Sequence, residues 1–379
     1  MAQATHDVPV VIPPMDETAR RQWNEDSQKC SSFQENPDLA IEHCTRAMNS
    51  PHLVGLVLAI LLSNRGAAYQ FKGDYDRAIQ DYGRALQAES GFRSVLTERG
   101  AAYASKGDYH RAIQDFNDAI LLLPDDARAF YGRGYVHRRQ EDYDRAIQDY
   151  DTAIRLDPKI AVVYSERGYV YARKGDDARA IQDYDEAIRL EPGDTLSLLR
   201  RGRAYFRKGS YERAIRDYDE IIRIDPKDAR ALQNKGRALF YLERFGDARG
   251  AFTKGVELEP QDAYGSLWLY LARTREGHNG KDELAANAKN LDVQQWPWPI
   301  VRFYLGTAAP KDLLRSAESL DPKKSREQRC EAYFYLGEQA LMRGDRQEAI
   351  KLFQATLDTG VTNFIEYEAA QIELQRLSR

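Results

Sequence analysis

One spacing governs this chain: Gly66, Gly100, Gly134, Gly168, Gly202 and Gly236 stand 34 residues apart. The same phase carries Ala78, Ala112, Ala146, Ala180, Ala214 and Ala248, each followed four residues later by an aromatic: Tyr82, Phe116, Tyr150, Tyr184, Tyr218 or Phe252. A repeat of that length is one supersecondary unit, and a run of them predicts a stacked array rather than separate globular domains. Around each glycine and each alanine the apolar residues fall three and four apart, the spacing of an amphipathic helix. Lys-Gly-Asp separates the two helices in three copies (Lys72 to Asp74, Lys106 to Asp108, Lys174 to Asp176). Its glycine suits a left-handed end to the first helix, and its aspartate suits an N-cap for the second. Pro124, Pro158, Pro192, Pro226 and Pro260 close the second helix, because the residue before a proline avoids helical geometry. Asp126, Asp194, Asp228 and Asp262 then stand where the next helix needs its cap. The small residues mark a close approach of two helices, and one hairpin alone leaves an apolar face that only a neighbour can cover.

These residues resemble the tetratricopeptide repeat, with a small residue at position eight, alanine at twenty, an aromatic at twenty-four and proline at thirty-two. The copies start at Ala59, Arg93, Ala127, Ala161, Thr195 and Ala229. The resemblance implies an all-α fold, a right-handed superhelix of helical hairpins (an α-α solenoid), with six regular repeats over residues 59–262 and a binding role rather than a reaction. Asp177 replaces the Tyr or Phe of the other five copies, which predicts a less tightly packed turn there.

The family resemblance also places positions two, five, six, nine, twelve and thirteen of each unit along a concave groove. In the third to sixth copies these positions hold nine arginines against one acid, Glu166. The candidate peptide-binding residues are Arg128, Tyr131, Tyr135, Arg138, Arg139, Tyr169, Arg173, Arg200, Arg203, Phe206, Arg207, Arg230, Arg237, Phe240 and Tyr241. Arginine forks grip carboxylates bidentately and aromatics add apolar contact, so the expected partner is a protein or extended peptide, acidic in character. The alternative is that these arginines are solvated or pair with acids on adjoining helices. Net charge is −4, which disfavours nucleic acid as the general partner. Two other readings are a homo-oligomerising solenoid, a homodimer in its simplest form, and a nucleic-acid binder that uses the same arginine and aromatic stripe.

Outside the regular array, residues 1–15 are expected to form a mobile N-terminal arm, with neither a secretory leader nor a membrane anchor in that stretch. No apolar run is long enough to span a bilayer. Residues 16–58 read as a degenerate helical hairpin. Cys30 and Cys44 fall on its two helices, and spacing alone leaves a disulfide and a pair of buried thiols equally open. Trp23, Cys30 and the stretch Pro37 to Thr45 resemble the opening of secreted repeat proteins of alpha-proteobacteria. That resemblance implies a Cys30–Cys44 disulfide and a periplasmic location, with the cytoplasm as alternative. His43 beside these cysteines would complete only three metal ligands, and it reads as a surface histidine.

Past Pro260 the register loosens, so residues 263–379 read as an irregular repeat region. Helices are expected over Tyr264 to Arg275, Lys281 to Asn290, Ile300 to Leu305 and Lys311 to Ser319. The pattern returns at Cys330 to Gly337, and a capping helix follows over about Asn363 to Leu377. Trp268 to Leu271, Phe303 to Gly306 and the closing Gly360 to Tyr367 resemble NlpI-type bacterial lipoproteins. That likeness implies a periplasmic adaptor presenting partners to a protease or to cell-wall enzymes. No phosphate loop, His-Glu-x-x-His, Cys-x-x-Cys or Gly-x-Ser-x-Gly motif occurs. The Asp-Tyr-Asp triplets (Asp149 to Asp151, Asp183 to Asp185, Asp217 to Asp219) repeat with the period and read as helix surface and core, not as a catalytic centre. No cofactor, metal site or enzyme activity is expected.

Overall fold

A computed structural model describes residues 16–50, 53, 55–362 and 364–378. The proposed N-terminal arm lies outside them. Every regular element among the described residues is helical. The chain divides into two compact units, Met1–Asp176 and Asp177–Arg379.

The first unit contains α1 (Glu17–Cys30), α2 (Pro37–Met48), α3 (Gly55–Phe71), α4 (Tyr75–Ala88), α5 (Ser94–Lys106), α6 (Tyr109–Leu122), α7 (Ala127–Arg139), α8 (Tyr143–Leu156) and α9 (Ala161–Arg173). Consecutive helices pack as antiparallel hairpins, α1 on α2, α3 on α4, α5 on α6 and α7 on α8, and each pair leans on the next. Asp74, Asp108 and Asp142 cap the second helices, each accepting from the backbone N–H three residues on. Asp126 caps α7 as expected. Gly73 and Gly107 take the left-handed conformation at the turns. Glu141 does so in the third copy with φ 62°, a conformation that costs an ordinary side chain about 1–2 kcal/mol.

The reason for the marker glycines is direct. A Cβ on Gly100 would sit 2.9 Å from the Phe116 ring, and one on Gly134 would sit 2.9 Å from Tyr150. Phe116 and Tyr150 are in turn almost wholly buried. Phe116 and Tyr150 therefore fill the space left by the absent glycine side chains.

Beneath this runs a ladder that the repeat pattern alone did not disclose. Arg65, Arg99 and Arg133 each grip a buried aspartate 16 residues on with two hydrogen bonds. The pairs are Arg65 to Asp81 at 2.7 and 2.8 Å, Arg99 to Asp115 at 2.8 and 2.8 Å, and Arg133 to Asp149 at 3.0 and 2.7 Å. The first aspartate of the Asp149 to Asp151 triplet is thus an internal brace.

Around the N-terminal hairpin, Cys30 and Cys44 are disulfide-bonded with Cα atoms 4.7 Å apart. His43 is not on the surface: it is 5% exposed, with its Nδ1 2.5 Å from Asp26 Oδ1. The hairpin turns His43 inward because Asp26 on α1 and Arg46 on α2 surround it.

The second unit begins with α10 (Asp177–Leu190) and continues with α11 (Thr195–Arg207), α12 (Tyr211–Ile224), α13 (Ala229–Tyr241), α14 (Phe245–Leu258) and α15 (Ala263–Arg275). After these come α16 (Lys281–Asn287) with a 3-10 turn (Ala288–Asn290), α17 (Trp298–Leu305), α18 (Pro310–Ser316), α19 (Pro322–Met342), α20 (Arg346–Asp358) and α21 (Ile365–Leu377). Asp194, Asp228 and Asp262 cap α11, α13 and α15. The ladder recurs as Arg201 to Asp217 at 3.0 and 2.6 Å. It stops at the sixth copy, where Lys235 and Ala251 replace both of its members together.

Two expectations need correction here. Helix α17 starts at Trp298 rather than Ile300, because a proline in the first turn lacks only an N–H that has no intrahelical partner. Helix α19 runs 21 residues from Pro322, well before the apolar pattern resumes at Cys330. At the position that an aromatic fills in the other copies, Asp177 receives Arg207 Nε at 3.0 and 3.1 Å, an ion pair within the second unit.

Candidate binding pocket of the second unit

The candidate residues of the first unit are divided by what they touch. Arg128 pairs with Glu98 at 3.1 Å. Arg138 pairs with Glu166 at 2.8 Å and lies over the rings of Tyr135 and Tyr169. Arg139 donates to the Tyr135 hydroxyl at 3.3 Å. Tyr131 packs against Tyr150 with centroids 6.2 Å apart, and Arg173 is exposed. The expected arginine and aromatic stripe is therefore partly engaged with its own helices, and Arg138 is an internal pair rather than an open fork.

In the second unit the aromatics move to the core. Phe206, Phe240 and Tyr241 are 7%, 0% and 4% exposed, so they offer no open wall to a ligand. Phe240 and Tyr241 pack edge-on against Trp268, and Phe206 packs against Tyr211 and Tyr241. The cause is the C-terminal part of the unit, whose side chains cover this end of the inner face. Arg376 of α21 lies over Tyr241, and Glu368 of α21 stands 3.9 Å from Arg207. Helix α21 thus does more than close a stack. Its Glu373 also approaches Arg275 at 3.9 Å, and Arg275 reaches the fully buried Glu338 at 3.0 Å.

Three of the predicted arginines come together. Arg203 on α11 with Arg230 and Arg237 on α13 line one cavity of about 460 Å³. Leu199, Gln233, Asn234, Asp262, Tyr264 and Trp268 complete its side walls, with Asp262 accepting from the Gln233 amide, and Glu331 of α19 with Phe364, Ile365 and Glu366 closes one side. Arg200 is half-buried on α11 and is not among the lining residues.

Arg203 and Arg230 are exposed, whereas Arg237 is 9% exposed. Its Nη2 donates to Asn234 Oδ1 at 2.5 Å, and among the described residues no carboxylate lies within ion-pair distance of it. Burial lowers its pKa and the charge of Arg203 acts the same way, with Glu366 and Glu368 opposing them from beyond ion-pair distance.

Glu331 and Glu366 had no place among the expected site residues, and no sequence signal marked them. They lie 35 positions apart and outside the regular copies. Glu331 is 4% exposed and its Oε2 accepts from Tyr264 Oη at 2.7 Å and Trp296 Nε1 at 2.8 Å. Glu366 is 5% exposed and accepts from Tyr335 Oη at 3.3 Å. Burial, with each other's charge added for Glu331, pushes both above the usual carboxylate range. Such a cavity can hold a polar, charged group against an apolar wall. Among the described residues no group of three or more His, Cys, Asp or Glu is arranged to hold a metal ion, and no helix is long and apolar enough to cross a membrane.

Tetratricopeptide repeat models match residues 59–92, 97–161, 164–229, 229–262 and 331–359. Among solved structures, the C-terminal part of a TPR repeat-containing protein from Cytophaga hutchinsonii is similar at 17% identity and TM-score 0.51, over 65% of this chain and 99% of that one. A tetratricopeptide repeat protein from Parabacteroides merdae is similar at 21% identity and TM-score 0.47, over 66% of this chain and 99% of that one. YrrB, described as a TPR protein with an unusual peptide-binding site, is similar at 22% identity and TM-score 0.44, over 49% of this chain and 95% of that one. At such identities structural likeness speaks to the fold alone, and the repeat models, which together span more than half of the sequence, speak to descent. The chain belongs to the tetratricopeptide repeat family, and its repeats form a protein-interaction scaffold.

Proposed function

We propose that this chain is a non-catalytic adaptor that captures an extended, acidic peptide through the cavity of its second unit, with a carboxylate of the peptide seated on Arg203, Arg230 and Arg237. The observation that carries the reading is Arg237, buried in the cavity wall with an amide as its hydrogen-bond partner and, among the described residues, no acid within ion-pair distance. A buried charge is costly until paired, so a carboxylate arriving there gains more than it would on a solvated arginine. Asn234 and Gln233 add polar contacts, while Leu199 and Ile365 give apolar grip. The closed side, formed by Glu331 and Phe364 to Glu366, suits a chain end better than a peptide passing through.

The bridge between Cys30 and Cys44 supports an oxidising compartment, because such bonds persist where thiols are not kept reduced. A periplasmic adaptor that brings partners to a protease or to cell-wall enzymes fits that setting. Intact-mass analysis of protein purified without reductant tests the compartment: a free-thiol mass for all three cysteines would contradict it.

The binding reading is tested by fluorescence anisotropy with a labelled acidic peptide bearing a free C-terminal carboxylate. Arg203→Glu combined with Arg230→Glu changes two exposed residues and leaves the core intact, and it should abolish binding while the helical signal is retained. Unchanged affinity in the double variant would overturn the reading. An oligonucleotide of equal charge serves as the control that separates peptide capture from polyanion attraction.

A further inference from the structure

The same cavity holds a second, opposite recognition element. Resting on the carboxylate-binding reading above, we propose that the pocket reads the last residue of its peptide at two points, with the arginines taking the α-carboxylate and Glu331 and Glu366 taking a cationic side chain, so that the partner ends in lysine or arginine.

The argument starts from what each buried group lacks. Among the described residues, neither Glu331 nor Glu366 has a cation within ion-pair distance, although both line the cavity and both are more than nine-tenths buried. The hydrogen bonds they do receive come from neutral donors: Tyr264 and Trp296 to Oε2 of Glu331, and Tyr335 with a backbone N–H to Glu366. Arg237 on the facing helix likewise has, among the described residues, no acid within ion-pair distance, and Glu366 acts on it only from further off. A single dipolar group would satisfy both deficits at once, which neither an uncharged nor a purely anionic end can do. An anionic side chain would instead be set against two carboxyls in a water-poor site, the like-charge juxtaposition that excludes wrong partners.

The surroundings of the acid pair fix the sign of its pH response. Glu331 faces Tyr264 of α15, Trp296, and Glu366 at the start of α21, and Glu327 is its charged neighbour on α19. Glu366 faces Tyr335 of α19 and Arg237 of α13, with Glu368 on its own helix. Burial favours the protonated form of both acids when the pocket is empty. A lysine ammonium entering between them reverses that preference, so binding releases a proton to solvent.

Four peptides of one acidic sequence test the proposal on the full chain: endings in Lys or Leu, each as free acid and as amide. The Lys free acid is expected to bind at least roughly tenfold tighter than the Leu free acid, the worth of one charge-assisted hydrogen bond, and both amides should bind weakly. Calorimetry in two buffers of different ionisation enthalpy should show proton release for the Lys peptide at neutral pH and none for the Leu peptide. Glu331→Gln keeps an acceptor for Tyr264 and Trp296. It should erase the Lys preference, so that the Lys and Leu free acids bind the variant with equal affinity.

Equal affinity for the Lys and Leu free acids would overturn this inference and leave the carboxylate reading standing. Failure of every free acid to bind would overturn both. A Lys preference that survives Glu331→Gln and Glu366→Gln together would also overturn it, by placing the selectivity elsewhere.

Discussion

Replacing Asp149 with alanine removes both acceptors of the Arg133 guanidinium and leaves a cation that is one quarter exposed facing the interior of a hairpin. Breaking a fully buried pair by deleting one partner costs about 3–5 kcal/mol. Arg133 can partly rehydrate and keeps its bond to Asn117 at 2.7 Å, so the expected loss is roughly 2–3 kcal/mol. Arg133→Lys alone leaves a buried carboxylate without its fork and should cost about 1–2 kcal/mol.

The sixth copy has made both changes together, with Lys235 and Ala251 at the two positions and Lys235 turned to Asp219 at 2.6 Å. The double variant Arg133→Lys with Asp149→Ala reproduces that pair and should fall clearly short of the sum of the single effects, with a coupling energy of about 1–2 kcal/mol. Urea unfolding followed by far-UV circular dichroism gives the global effect. Native-state hydrogen exchange over α7 and α8 localises it, since long repeat arrays need not unfold in one step. Additivity of the two single changes to within about 0.5 kcal/mol would refute the claim that they form one unit.

Further predictions follow from the same geometry. Gly202→Ala places a Cβ 2.6 Å from the Tyr218 ring. The overpacking cost of about 1–3 kcal/mol should exceed the helix-propensity gain of about 1 kcal/mol, and a clear rise in the unfolding midpoint would contradict it. Glu141→Gly relieves a left-handed φ at an exposed turn and should stabilise by roughly 0.5–1 kcal/mol in the same denaturation assay. Burial raises the pKa of Glu331, Glu366, Glu368 and Glu373 in the second unit. The folded chain then holds protons that the unfolded chain has released, so this stability is complete below the ordinary carboxylate range and declines as pH rises through the raised values. Urea midpoints for the second unit should therefore be higher at mildly acidic than at mildly alkaline pH, and Glu331→Gln should flatten the difference.

The extent to which the sequence disclosed this structure depends on the range of the contact. Hairpins, turns and caps are local, and Asp126, Asp194, Asp228 and Asp262 each act within three residues of themselves, so spacing alone placed them. The Arg and Asp ladder was written in the sequence at a constant separation of 16. Both members read as ordinary helix charges until the hairpin brings them together. The position-twelve aromatics Phe206 and Phe240 follow the groove register, yet they are buried by residues further along the chain, such as Trp268 and Tyr241. Glu331 and Glu366 belong to the pocket only through α19 and the start of α21, where the repeat phase no longer guides the reading.

The most direct test of the carboxylate-binding cavity is photocrosslinking with an acidic peptide that carries a photoreactive phenylalanine analogue two residues before a free C-terminal lysine. Adducts mapped by mass spectrometry are predicted on the lining segments of α11, α13 and α15, around Leu199, Gln233 and Trp268, and excess unlabelled peptide should remove them. Adducts concentrated on α12 and α14, or unaffected by competitor, would contradict the account.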